Sequence, residues 1–139
     1  MRLQIKDFGA EARSKLPQRQ YPMDAGADVF ALKEMILNPG KPEVVPLGFG
    51  FSDLPNGKVG LVMPKSSLSS RGIICQPVPI DASYDGEVHA IVVNAGQRPY
   101  VLGEGEKIGQ LMIFTVDYPE FTTEPLKRRQ TNGFGSTGK

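Results

Sequence analysis

Val78-Pro79-Ile80-Asp81-Ala82-Ser83-Tyr84-Asp85-Gly86-Glu87-Val88 is the stretch around which the rest of the chain is organised. An apolar strand end runs directly into an acid. A polar turn follows, carrying one aromatic, then a glycine, then a second strand. Strand, tight polar turn and strand together mark an antiparallel hairpin. An Asp in such a turn ordinarily bonds its own backbone. The same turn can also hold Asp81 and Tyr84 close together above a pocket whose floor is main chain.

Outward from this hairpin the pattern repeats. Gly 16 and Pro 12 in 139 residues interrupt almost every segment, which leaves no room for long helices. Short runs rich in β-branched and aromatic residues lie between the breaks. Strands are predicted over residues 3–6, 27–31, 35–37, 43–51, 58–63, 73–75, 87–94, 98–102 and 107–116. Pro55-Asn56-Gly57 is a strong turn signal. Only residues 66–70 and 124–128 read as helical turns. Many short strands with turns about every ten residues imply an all-β sandwich, jelly roll or barrel. No internal repeat or linker splits the chain, so residues 1–127 form one β-domain. Residues 128–139 form a separate arm, small, polar and glycine-rich from Gln130 on, and expected to be flexible.

Composition excludes several kinds of chemistry. Lys+Arg 16 against Asp+Glu 15 leaves a net charge of +1, so no global field draws the chain to nucleic acid or an anionic membrane. Lys127-Arg128-Arg129 reads as a solvated tail. No apolar run is long enough to span a bilayer, and the first residues lack the apolar core of a signal peptide. The single cysteine, Cys75, cannot form an internal disulfide, and a cytoplasmic, reduced protein is expected. One His, His89, and one Cys cannot build a zinc site, which rules out a zinc-dependent base deaminase. His89 also sits in a strand pattern with no nucleophile elbow nearby, which argues against a Ser-His-Asp triad.

Four further segments carry reactive or ligand-binding residue types. Asp24-Ala25-Gly26-Ala27-Asp28 sets two acids around a glycine at a strand entrance. Pro64-Lys65-Ser66-Ser67-Leu68-Ser69-Ser70-Arg71 offers hydroxyls, amides and two cations after a strand. It suits an ordinary serine cap or a phosphate site equally. Gly105-Glu106-Lys107-Ile108-Gly109-Gln110-Leu111 places the Gln110 amide among apolar residues, where it must find partners. Gly133-Phe134-Gly135-Ser136-Thr137-Gly138-Lys139 fits the opening of a P-loop. However, it follows no strand and lacks the Ser/Thr and helix that come next in that motif. What remains is a set of free amides able to wrap phosphate, with Arg129 to pair with it and Phe134 to stack on a base.

Taken in this order, the five segments resemble the trimeric dUTP pyrophosphatase (dUTPase) family over nearly the whole chain. The arm, with Gly-Phe-Gly-Ser-Thr-Gly intact behind Ile-Asp-x-x-Tyr-x-Gly, is the most specific part. The resemblance implies a jelly-roll (β-clip) subunit and a homotrimer whose active sites lie between subunits, with the C-terminal arm exchanged. It implies hydrolysis of dUTP to dUMP and pyrophosphate, with Asp81 as the general base orienting water at the α-phosphate. Tyr84 would pack on the deoxyribose and leave no room for a 2′-hydroxyl. Lys65, Ser66 and Ser67 would hold phosphate oxygens, with Gln110 assisting, while Gln76, Pro79 and Ile80 belong to the substrate-binding set. Mg²⁺ would ride on the triphosphate, reaching Asp28 through one of its waters. Arg129 would clamp the γ-phosphate, Phe134 would cover the uracil, and Gly135, Ser136 and Thr137 would close over the phosphates.

Several positions depart from the family's commonest pattern. Lys65 stands where Arg is usual, Ser67 and Gln130 where Gly is frequent, Val78 where the hairpin usually has Gly, and Cys75-Gln76 where many members carry an Asn that reads uracil. Two alternatives share the scaffold. One is a non-catalytic or regulatory binding protein. The other is a dCTP deaminase, which needs a carboxylate near the position occupied here by Ile91.

Overall fold

The computed structural model describes residues 1–127; the arm expected at 128–139 lies outside the described residues. Eleven strands are present among them, with two helices of one turn each. The strands are β1 (Ile5–Asp7), β2 (Ala27–Phe30), β3 (Met35–Leu37), β4 (Pro42–Pro46), β5 (Phe49–Phe51) and β6 (Lys58–Met63). After them come β7 (Ile73–Gln76), β8 (Pro79–Ile80), β9 (His89–Asn94), β10 (Tyr100–Leu102) and β11 (Lys107–Thr115). Helix α1 is Ala10–Arg13 and α2 is Ser66–Ser69. No described helix is long and apolar enough to cross a membrane.

All strand pairs are antiparallel. A four-stranded sheet runs β2-β11-β6-β8, a three-stranded sheet runs β4-β9-β7, and β1-β5 and β10-β3 form two-stranded ribbons. The alternation is clean where one face meets the core. In β9, Ala90, Val92 and Asn94 point inward, and in β7 Ile73 and Cys75 do. Their inner faces join one cluster with Val29, Leu37, Val45, Val62, Leu102 and Ile108, where Phe49 and Phe51 meet edge-on at 5.9 Å. Burial pushes the Cys75 thiol up to about 11. Buried Asn94 is fully engaged: Nδ2 donates to the Leu37 and Arg98 carbonyls, and Oδ1 accepts from the Gly96 amide. It is a structural bolt between sheets.

Two expectations from the sequence need correction. The strand expected over 43–51 is two strands, broken at Leu47-Gly48. Gly48 has φ of 80°, its carbonyl accepts from the Phe8 and Ala10 amides, and its own amide donates to Glu87 Oε2 at 2.9 Å. The helical turn expected from 124 is absent over 124–127. Leu126 is 85% exposed, so nothing packs against a one-turn helix there to offset its nucleation cost.

The Gly48 corner is also where a single methyl should do most damage. A Cβ there would lie 2.7 Å from Leu32 Cδ1 and 2.9 Å from the Ala10 amide nitrogen, on a backbone that disfavours side chains. Gly48→Ala is expected to destabilise the fold by about 2–4 kcal/mol. The midpoint of urea unfolding measures this.

Candidate active site

The hairpin at the centre of the sequence is held at its return by long-range contacts. Val88 N–H donates to the Phe49 carbonyl at 2.7 Å, Leu47 N–H to the Val88 carbonyl at 3.1 Å, and Lys6 Nζ to the Asp85 carbonyl at 2.8 Å. Inside the turn, Tyr84 N–H donates to the Asp81 carbonyl at 3.0 Å, and Tyr84 Oη donates to the Glu87 carbonyl at 2.6 Å. A Cβ on Gly86 would lie 2.7 Å from Tyr84 Oη and 2.8 Å from Cζ, so the ring lies directly against glycine backbone. Glycine is required there by close approach. Tyr84 remains 43% exposed, one side packed and the other open.

That open side faces a cavity of about 260 Å³. Val78, Pro79 and Ile80 line it together with exposed Asp81 and Tyr84 and with Val44, Glu87, Val88, His89 and Ile91. The Asp81 carboxylate is exposed and has no hydrogen-bond partner among the described residues. It also borders a second hollow with Lys58 and Val59. Glu87, on which sequence reasoning placed no weight, fastens the return strand to Gly48 through Oε2 and turns Oε1 toward His89 Nε2 at 3.7 Å. Gln76 lies outside the cavity lining. Its register partner Ile91 lies within it.

A second cluster forms from elements distant in sequence. Gln110 of β11 is opposite Asp28 of β2 on one side and Met63 of β6 on the other. Gln110 Nε2 donates to the Pro64 carbonyl at 3.2 Å, and a Cβ on buried Gly26 would overlap its amide. Asp28, whose side chain is 13% exposed, is flanked by two ammonium groups, Lys65 Nζ at 3.4 Å from Oδ1 and Lys107 Nζ at 3.3 Å from Oδ2. Lys65 is extended and opens α2, and Ser66 and Ser67 follow it with exposed side chains. Sequence reasoning missed Lys107. The register shift between Lys107 and Gly109 turns that side chain to Asp28, and nothing local encodes the shift. This cluster offers cations, hydroxyls and an amide to an anion.

The two clusters sit at opposite ends of β6. Ile80 pairs with Gly60, so Asp81 continues opposite Val59. Lys65 lies six residues further along, which at strand rise is about 20 Å. One chain therefore brings Asp28, Lys65, Ser66, Ser67 and Gln110 together, and separately Pro79, Ile80, Asp81 and Tyr84. It does not bring the two sets together. Arg129, Phe134, Gly135, Ser136 and Thr137 lie outside the described residues.

No group of three or more His, Cys, Asp or Glu side chains among the described residues could hold a metal ion. A cation reaching Asp28 must bring most of its ligands with it. Asp28 retains carboxylate lone pairs beyond those facing the two lysines. That suits a hydrated Mg²⁺ carried on phosphate oxygens.

Comparison with known proteins identifies the family. A family model described as dUTPase matches residues 12–138. The deoxyuridine 5′-triphosphate nucleotidohydrolase of Corynebacterium glutamicum is 38% identical over 97% of this chain and 95% of its own length. The corresponding protein of Clostridium tetani is 34% identical over 99% of this chain and 97% of its own. Among solved structures, a Staphylococcus bacteriophage 80alpha dUTPase with dUpNHpp superposes with a TM-score of 0.83 at 22% identity, over 98% of this chain and 95% of its own. A dUTPase from phage phi11 of S. aureus, described with a structural Mg(II) ion, gives 0.82 at 24% identity, over 89% of this chain and 97% of its own. The structural matches establish the all-β jelly-roll fold. The family-model match and the sequence identities together place the chain in the dUTPase family.

Proposed function

We propose that this chain hydrolyses dUTP to dUMP and pyrophosphate with Mg²⁺, and that Asp81 orients the attacking water. The observation that carries the residue assignment is the pairing at the cavity rim. An uncommitted carboxylate stands beside a tyrosine ring braced on Gly86. Water oxygen bonds to the α-phosphorus as the bond to the bridging oxygen breaks, and the leaving electron pair departs on pyrophosphate. Asp81 takes the water proton and passes it to solvent. Tyr84 stacks on the deoxyribose. Its hydroxyl, tied to the Glu87 carbonyl, keeps the ring where a 2′-hydroxyl would collide.

Lys65, Ser66, Ser67 and Gln110 hold phosphate oxygens. Mg²⁺ would neutralise charge on the triphosphate, and Asp28 is the residue that would hold it, through water. A base that orients water must sit within one water of the phosphorus, yet Lys65 must touch oxygens of the same triphosphate. About 20 Å separates them in one chain. Each site therefore takes its hairpin from one subunit and its phosphate cluster from another, in a homotrimer. The arm, with Arg129, Phe134, Gly135, Ser136 and Thr137, closes from the third. Outward apolar side chains such as Ile36 and Val101, each 58% exposed, and Val44, 56% exposed, suit such an assembly. A cytoplasmic location fits a chain whose one thiol is free.

Pyrophosphate release from dUTP, dTTP, dCTP and UTP in the presence of Mg²⁺ tests the assignment. dUTP is expected to be best and UTP poorest. Tyr84→Ala is expected to narrow the dUTP:UTP ratio of kcat/KM by about 10- to 100-fold, because a steric exclusion has been removed. A native enzyme that turns over UTP and dUTP alike would overturn the role given to Tyr84. Ile91 stands on the cavity wall where a deaminase needs a carboxylate, so ammonia release from dCTP is not expected.

A further inference from the structure

Asp28 carries two cations, although one carboxylate charge needs only one. Lys65 Nζ donates to Oδ1 at 3.4 Å, and Lys107 Nζ lies 3.3 Å from Oδ2. The two lysines reach it from different places. Lys65 follows β6 and meets Asp28 of β2 across the intervening β11. Lys107 opens β11 itself, where the register shift before Gly109 sets it beside β2. It shares with Asp28 a separate hollow, lined also by Lys15, Gln18 and Arg19.

The proposed reaction gives the second cation a purpose. Lys65 must hold phosphate oxygens when substrate is bound, and Asp28 must face a water of Mg²⁺. A carboxylate only 13% exposed cannot give up its sole partner without leaving a buried charge uncompensated. Were Lys65 that sole partner, every triphosphate would have to draw it away from Asp28. With Lys107 on Oδ2, the carboxylate stays paired while Lys65 turns to phosphate and Oδ1 is freed toward water.

We propose that Lys107 is a positioning residue. It keeps Asp28 paired and fixed, so that Lys65 is released to the triphosphate and Oδ1 to the hydrated cation. Lys107 acts through Asp28 and touches neither nucleotide nor metal. The inference rests on this cluster being the Mg²⁺-triphosphate half of the dUTPase site.

Calorimetric titration with the α,β-imido analogue of dUTP and Mg²⁺ reads this without turnover. Lys107→Met keeps much of the side chain's length and removes its charge. It is expected to weaken binding of the Mg²⁺-loaded analogue by about 10-fold, the scale on which partners of metal-facing groups act. Lys107→Arg is expected to recover most of the loss. In an Asp28→Asn background, Lys107→Met is expected to cost less than about twofold, because the group it acts through no longer carries charge. In steady state, KM for dUTP should rise in Lys107→Met with kcat within about threefold of native. Both proteins should fold: the single variant keeps Lys65 on Asp28, and the double variant has no carboxylate there to leave unpaired. An equal loss in both backgrounds would mean that Lys107 meets the phosphates itself, and would overturn its role. Native affinity in Lys107→Met, even with a lowered Tm, would reduce the pair to a structural one and overturn it too. A native protein that neither binds the analogue with Mg²⁺ nor hydrolyses dUTP would instead overturn the reading of the site.

Discussion

Asp81→Asn is expected to lower kcat for dUTP by about 10³-fold with KM within about twofold, since a positioned general base contributes on the order of 10²–10⁴. The amide has the carboxylate's shape and still offers an oxygen to water, but it cannot take the proton. Substrate contacts from Tyr84 and the phosphate cluster are untouched, so ground-state binding should persist. Fold stability should persist too, because the Asp81 side chain is exposed and its structural contribution is the backbone carbonyl that receives Tyr84 N–H. Thermal melts of both proteins, run beside pyrophosphate-release assays, separate lost chemistry from lost structure. An Asp81→Asn protein with near-native kcat would remove Asp81 from the mechanism.

Much of this architecture is legible locally, and the exceptions have physical reasons. The runs over residues 87–94 and 107–116 read as strand from their β-branched and apolar residues and form β9 and β11, and the turn predicted over 66–70 appears as Ser66–Ser69. The split of the strand predicted over 43–51 could not be read in the same way. Gly48 turns there to offer its amide to Glu87 and its carbonyl to Phe8 and Ala10, partners about forty residues away on either side. Strand propensity within the run has no information about them.

The site divides along the same line. Asp81 and Tyr84 sit three residues apart, so one turn sets their relation. Asp28, Lys65 and Gln110 come from three separate stretches, and sheet register alone makes them neighbours. Family resemblance supplied that grouping; spacing could not. Lys107 stayed hidden even so, because a β-bulge decides which way it faces. Glu87 was in plain view in the opening stretch. An acid two residues before the strand's lone histidine was the available signal.

The distance along β6 makes the second large prediction. Neither Asp81→Asn nor a Lys65→Ala, Ser66→Ala double variant should turn over dUTP appreciably alone. Each lacks one half of every site. Unfolded together in equal amounts and refolded, they form mixed trimers. On the proposed assembly, a given site takes its hairpin from one subunit and its phosphate cluster from the next. Half of the hairpins and half of the clusters are native and are drawn independently. About one quarter of the sites should then be intact, and activity should return to about a quarter of native from a base of well under a hundredth. If both halves of a site came from the same chain, no mixture could contain an intact site, and activity would stay at the base level. Size-exclusion mass on the refolded sample confirms assembly, and mixing the two folded proteins without denaturant controls for subunit exchange. Inactive mixed trimers of the correct mass would overturn the shared site. Recovery near a quarter would require that Asp81 and Lys65 serving one nucleotide belong to different chains, as proposed from their places beside opposite ends of β6.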